Sequence, residues 1–348
     1  MKERIWFLTM LVFMVVAAAS HFAFPQAAVI FIASAGALVI LSRYIGEATE
    51  QLSLHLGESM AGFVNVTLSN LAELIIVFAA VRAGLIELVQ ANIVGSIIGN
   101  LLLVMGFAIY FGCRKHGQLH LNAVAVAAYL KQLFLVLVAV SALSAFNGAM
   151  SPERQLGASY VIALLLVALY AWFFFHIRKS TKLNTIDAQA HQVQKHWSKV
   201  QSYLALLGAA AGAVCMSELM VGEIEPFSQS MGISPVLLGY IVLPMLGNLA
   251  EHYVAIESAM KQMPDLSMAI SVGSASQVGL VVVPAAVLFG LITGHPVTLL
   301  FTGLPVYVLF VSFIAAYLTL HNNMWEIEEG VMLLAIYTIL AVICGFAL

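Results

Sequence analysis

The chain has 348 residues, 62% of them hydrophobic and 9% charged, with a mean hydropathy of +1.01. A soluble domain carries roughly 25% charged residues, so this composition excludes one and points to an integral membrane protein. A net charge of −3 says little where most of the surface faces lipid. The short basic loops make no stripe suited to nucleic acid, and Cys113, Cys215 and Cys344 lack CxxC or any other metal-binding spacing.

Taken in chain order, apolar runs between polar breaks predict eleven spans: 5–23, 26–42, 60–81, 85–111, 122–146, 155–177, 203–221, 235–258, 267–291, 297–319 and 329–347. They have the length of about 17–25 residues that a helix needs to cross a hydrocarbon core of about 30 Å. Barrel strands would alternate over roughly 10 residues, and no such alternation is present. The expected fold is therefore all-α and polytopic. The stretch Lys2–Ser20, with its basic start and Ala17-Ala18-Ala19, also has the form of a signal peptide. Because the apolar run continues to Phe24, a retained first helix is the expectation.

Basic residues then orient the spans. With the N-terminus in the cytoplasm, inside segments hold Lys2, Arg4, Arg43, Arg114, Lys115, Arg178, Lys179, Lys182, Lys195, Lys199 and Lys261. Outside segments hold only Arg82 and Arg154, and Lys131 lies within a span, where it can snorkel to the interface. The C-terminus is expected outside. The absence of a long N-terminal tail suits a prokaryotic plasma (inner) membrane.

The chain repeats itself at an offset of 178 residues. Leu68-Ser69-Asn70-Leu71-Ala72-Glu73 answers Leu246-Gly247-Asn248-Leu249-Ala250-Glu251, and Val94-Gly95-Ser96 answers Val272-Gly273-Ser274. Ungapped, 67–106 and 245–284 share 12 identities in 40 positions. The polar stretch 178–202 separates five spans before it from five after, leaving the first span over. This divides the chain into an extra helix (1–24), a first repeat (25–177), a linker (178–202) and a second repeat (203–348). The motif spans are five apart, an odd number, so they cross in opposite directions, as in the inverted repeats of secondary transporters. A scaffold duplicated for packing alone would have no reason to keep a carboxylate in each copy, because a charge in hydrocarbon is costly.

Glu73 and Glu251 carry the chemistry. Two carboxylates at the midplane offer hard oxygens and a charge near −2, which suits Ca²⁺ with its six to eight oxygen ligands at about 2.3–2.6 Å. They supply four oxygens at most, so further groups are needed. Asn70 and Asn248 lie three residues earlier on the same helix faces. Ser96, Asn100, Ser274 and Gln277 place polar groups on the companion spans, although small residues there also serve close helix packing. Unwinding near Gly247 and Pro244 is expected to free backbone carbonyls. The same pair accounts for proton coupling, because two neighbouring buried carboxylates cannot both stay ionised without a cation. The site is then either cation-filled or protonated, and both states are close to neutral. Transported Ca²⁺ and H⁺ are the expected substrates, with no cofactor.

The segments TLSNLAELIIVFAAVRAGLIELVQANIVGSIIGNLLLVMG and VLPMLGNLAEHYVAIESAMKQMPDLSMAISVGSASQVGLVVVP resemble the two α-repeats of calcium/proton exchangers, a branch of the cation/calcium antiporter superfamily. The lead-in 46–70 and the stretch from Ser217-Glu218 to Gly239 look similar to the same family. The resemblance implies a ten-helix antiporter core with one extra N-terminal helix, hence eleven transmembrane helices. It also implies that the repeat glutamates are calcium ligands. Ala72 and Ala250 stand where the sodium-coupled branch usually has proline, and His252 follows Glu251 as in the proton-coupled branch. Two departures stand out. Ser69 replaces a glycine, and the 178–202 linker holds only Asp187 against five basic residues, so a regulatory calcium site there is not expected.

Other ionisable residues carry less. Glu218 either lines an exit path or caps an interface. Glu257 and Lys261, four apart, are expected to pair. Glu47, Glu50 and Glu58 lie on an amphipathic stretch (43–59) and are mainly solvated, with cation attraction the alternative. His252 is read as orienting its neighbour, and His191 and His196 as loop residues. The leading function is exchange of cytoplasmic calcium for protons by alternating access. Its alternatives are a sodium-coupled exchanger or one for manganese or another divalent cation on the same fold, and then a cation channel. An intramembrane enzyme would need a nucleophile–base pair or a zinc site, and there is no HExxH. The partners are the cation, protons and the bilayer. A homo-oligomer is compatible with the sequence.

Overall fold

A computed structural model describes residues 2–56, 64, 67–146, 148–177, 196–301 and 303–347. Apart from a two-residue antiparallel pairing, Leu119 with Trp325 and His120 with Met324, the regular elements among the described residues are helices. Eight described helices are long and apolar enough to cross a membrane, or nine if the bent pair Ile224–Met231 and Pro235–Met260 is one span. The chain divides into two compact units, Met1–Asn92 with Gln194–Ala250, and Ile93–Val193 with Glu251–Leu348.

The first unit contains α1 (Lys2–Ala23), α2 (Ala27–Ser53), α3 (Leu71–Arg82), the start of α4 (Ile86–Ile98), α8 (Lys199–Gly222), α9 (Ile224–Met231) and most of α10 (Pro235–Met260). Most of α1 is exposed, with Ile5, Phe7, Leu8 and Val12 on its surface, as expected of a helix that meets lipid. Helix α2 runs eleven residues past the predicted end at 42. Ile45, Ala48 and Leu52 continue its buried stripe at helical spacing, so residues 43–53 of the amphipathic stretch belong to the same helix as the span. Helix α2 packs along α8 and α9, and Phe31 stacks on Phe227 with ring centroids 4.2 Å apart. Where the linker re-enters the unit, Gln51 Oε1 accepts from the amides of His196 (3.0 Å) and Trp197 (3.2 Å). The ring nitrogen Nε2 of His55 donates to the Trp197 carbonyl at 2.7 Å. Ser198 and Gln201 then form a capping box at the start of α8. His196, read from the sequence as a plain loop residue, is thus anchored through its backbone. Glu58, Asp187 and His191 lie outside the described residues.

The second unit contains the end of α4, α5 (Met105–His116), α6 (Ala123–Ser141), α7 (Pro152–Ile177), α11 (Pro264–Gln277), α12 (Val283–Thr293), α13 (Leu304–Leu320) and α14 (Ile327–Ala347). Between α4 and α5 the chain makes a π-helical turn, Gly99–Val104, and between α11 and α12 another, Val278–Val282. Helix α14 lies against α5, and Gly330 permits it: a Cβ there would come within 2.7 Å of the Tyr110 backbone nitrogen. The span predicted over 297–319 is helical only from Leu304. Pro296 cannot donate to a helix, and residues 295–301 run without regular structure up to Gly303, which has φ 73. Within that stretch the Leu299 amide is satisfied by the buried Ser159 hydroxyl at 3.0 Å.

Candidate cation site

In the first unit, Glu73 stands in the opening turn of α3 and is 1% exposed. The break in the backbone falls one turn earlier, at Asn70, whose φ −90 and ψ 16 interrupt the helix before Leu71. Asn70 is buried, donates from Nδ2 to Ser69 Oγ at 3.4 Å, and gives its carbonyl to the Leu74 amide at 2.9 Å. In the second copy the expected unwinding at Gly247 does not occur, because α10 is helical throughout Pro235–Met260, Pro244 included. Gly247 serves close approach instead. A Cβ there would lie 3.5 Å from the Glu73 Cα and 3.6 Å from its Cβ, so α10 crosses α3 at the glutamate. One residue on, Asn248 is buried with neither amide atom hydrogen-bonded.

In the second unit, Glu251 is half-buried on α10, and Ser274 of α11 donates to its Oε2 at 2.9 Å. The two residues that the repeat singles out 23 positions apart are therefore in contact. His252 beside it is buried, with Nε2 unpartnered. Ser96 and Asn100 are both buried, and Asn100 Nδ2 donates to the Ser96 carbonyl at 3.0 Å, which leaves the Asn100 amide oxygen as the acceptor on offer. Gln277 closes α11 directly before the π turn. Both companion spans, read from the sequence as plain α-helices, carry this turn at matching places, since 99–104 shifted by 178 is 277–282. A π turn inserts one residue into the helical register and is frequent at functional sites. Here Asn100 lies within the first turn, and the second follows directly on Gln277. Among the described residues no three His, Cys, Asp or Glu side chains gather into a metal cage.

Two further readings are placed by the structure. Glu218 on α8 pairs with Arg82 at the end of α3, 2.6 Å apart, with side chains 47% and 62% exposed. An ion pair this open to solvent contributes little stability. Glu257 and Lys261 pair at 2.8 Å.

A multi-span helical membrane protein with a buried glutamate in one span and a hydroxyl against the glutamate of another has the character of an ion transporter. Comparison with known proteins gives the family. Residues 26–178 and 201–346 match the family described as sodium/calcium exchanger protein. A Ca(2+)/H(+) antiporter of Aphanothece halophytica is 30% identical over 357 residues, covering 97% of this chain and 95% of the relative. The Ca(2+)/H(+) antiporter ChaA of Bacillus subtilis is 31% identical over 330 residues, 92% of each. Native YfkE superimposes with a TM-score of 0.86 at 26% identity, over 98% of this chain and 99% of that one. The H+/Ca2+ exchanger CAX shares the fold, with a TM-score of 0.74 at 15% identity. The chain belongs to the sodium/calcium exchanger family, in its calcium/proton exchanger branch.

Proposed function

We propose that the protein exchanges cytoplasmic Ca²⁺ for external protons by alternating access, with Glu73 and Glu251 serving both as cation ligands and as proton carriers. The observation that carries this reading is the duplication itself: an intramembrane carboxylate in each repeat, each preceded three residues earlier by an asparagine. Relatives named Ca(2+)/H(+) antiporter, aligned over nearly the whole chain, support Ca²⁺ and H⁺ as the exchanged pair. The neutral oxygens come from Asn70, Asn248, Ser96, Ser274, Asn100 and Gln277.

Coupling follows from electrostatics. An empty pair of ionised carboxylates in a low-dielectric interior is costly, and either a divalent cation or protons relieve it. The crossing states are therefore the calcium-loaded and the protonated ones, and one is exchanged for the other. In this reading the chain forms eleven transmembrane helices, an extra N-terminal one (1–24) and two inverted five-helix repeats (25–177 and 203–348) joined by a cytoplasmic linker (178–202). The N-terminus is cytoplasmic, the C-terminus is outside, and the membrane is a prokaryotic inner membrane. The basic-residue asymmetry of the loops supports that orientation.

Ca²⁺ uptake into inverted vesicles tests the coupling. Proton exchange predicts collapse on adding a protonophore and indifference to Na⁺; uptake that persists with the protonophore and requires Na⁺ contradicts it. Ser274→Ala removes the hydroxyl that donates to Glu251. The same hydroxyl oxygen is a proposed cation ligand, so its loss should raise the half-saturating Ca²⁺ concentration about tenfold, equivalent to about 1.4 kcal/mol. An unchanged value in ⁴⁵Ca²⁺ uptake would remove Ser274 from the site.

A further inference from the structure

Asn92 has no place in the repeat pattern. It is 2% exposed, and neither its amide oxygen nor its amide nitrogen is hydrogen-bonded. The matching position of the second repeat is Ile270, so the repeat accepts an aliphatic side chain at this point. Burying a primary amide with both ends unmet is unfavourable beside such an alternative, and its presence points to a polar partner that moves through.

Its location in the first unit says which one. Helices α3 and α4 form a tight hairpin: Leu85 donates to the Ala80 carbonyl at 3.0 Å, and Gly84 has φ 73. Glu73 is nine residues from Arg82, about 14 Å along α3, whereas Asn92 is six residues from Ile86, about 9 Å along α4. Asn92 thus sits about one helical turn nearer the hairpin end than Glu73. Beyond it, at the hairpin end, stand the exposed Arg82 and Glu218. Helix α10 closes over α4 at the same level, since a Cβ on Gly239 would lie 2.8 Å from Ala91 Cβ.

We infer that Asn92 is a transient ligand of the transported divalent cation on the outer half of its route, its amide oxygen receiving the ion after Glu73 releases it. The assignment of the hairpin end to the outer side rests on the proposed orientation. An amide oxygen suits this step, because it is a hard ligand that adds no charge. A carboxylate there would hold the cation back.

The test is the half-saturating Ca²⁺ concentration measured separately from each face in proteoliposomes of defined orientation. Asn92→Leu should raise the outer value at least tenfold and leave the inner value within twofold. Asn92→Ser, which keeps an oxygen, should stay within threefold on both faces. Asn92→Leu matching the wild type, or weakening both faces alike, overturns the inference; the second result would mark a structural role. A second measurement is independent of transport and of ion identity. With Cys113, Cys215 and Cys344 replaced by alanine, Asn92→Cys should react with a membrane-impermeant thiol reagent from the outer face. No labelling from that face at any Ca²⁺ concentration or pH overturns the inference even if the variant is inactive. Loss of Ca²⁺ transport in the wild type itself would instead count against the proposed function, leaving the labelling result to decide on Asn92.

Discussion

Glu73→Gln and Glu251→Gln each reduce Ca²⁺ transport by at least about 100-fold, equivalent to about 2.8 kcal/mol, while expression and thermal stability stay close to those of the wild type. The amide keeps the size of the side chain and one oxygen but removes a charge. A site with one carboxylate no longer balances a divalent cation, and only one of its two side chains can take up a proton. Glu73 is buried in the first turn of α3, where a neutral side chain is easier to bury than a charge, so Glu73→Gln should not unfold the protein. ⁴⁵Ca²⁺ uptake into inverted vesicles, with melting of the purified protein as the control, decides it. Exchange retained in either variant would mean that this glutamate is not a ligand.

Gly247 gives the second large effect, and it depends on the size of the replacement. A single methyl group fits, because the Cβ would meet Glu73 at 3.5–3.6 Å, an ordinary contact distance. Gly247→Ala should keep transport within about threefold of wild type. Gly247→Leu must push α3 and α10 apart at the glutamate, at a packing cost of about 1–3 kcal/mol. A ligand displaced by about 1 Å can cost on the order of 100-fold in rate. Turnover at saturating Ca²⁺ should therefore collapse in the leucine variant and survive in the alanine one. Equal activity in the two would show that the crossing at Glu73 has no bearing on transport.

Much of this was legible in the sequence because membrane solvation constrains it so tightly. Long apolar runs need helices, and an intramembrane carboxylate stands out against them. The repeat brought Ser274 forward as a companion of Glu251, and the two are in hydrogen-bonding contact. Local backbone geometry was less accessible. The sequence pointed to unwinding at Gly247, where glycine and a nearby proline weaken a helix, yet that glycine serves packing and the break lies at Asn70. The π turns at Gly99–Val104 and Val278–Val282 have no compositional mark, since one inserted residue leaves an apolar run apolar. The late start of α13 could have been read from Pro296, Gly303 and Pro305, which hydropathy alone passes over. Asn92 escaped because a lone amide in an apolar span gains weight only once its burial and its missing partners are seen.

The most direct test of the account is ⁴⁵Ca²⁺ uptake into inverted vesicles under an imposed proton gradient, wild type against Glu251→Gln. Gradient-driven uptake in the wild type, abolished by the substitution, is the predicted result. Uptake that ignores the gradient, or that survives in Glu251→Gln, would contradict proton-coupled exchange at the repeat glutamates.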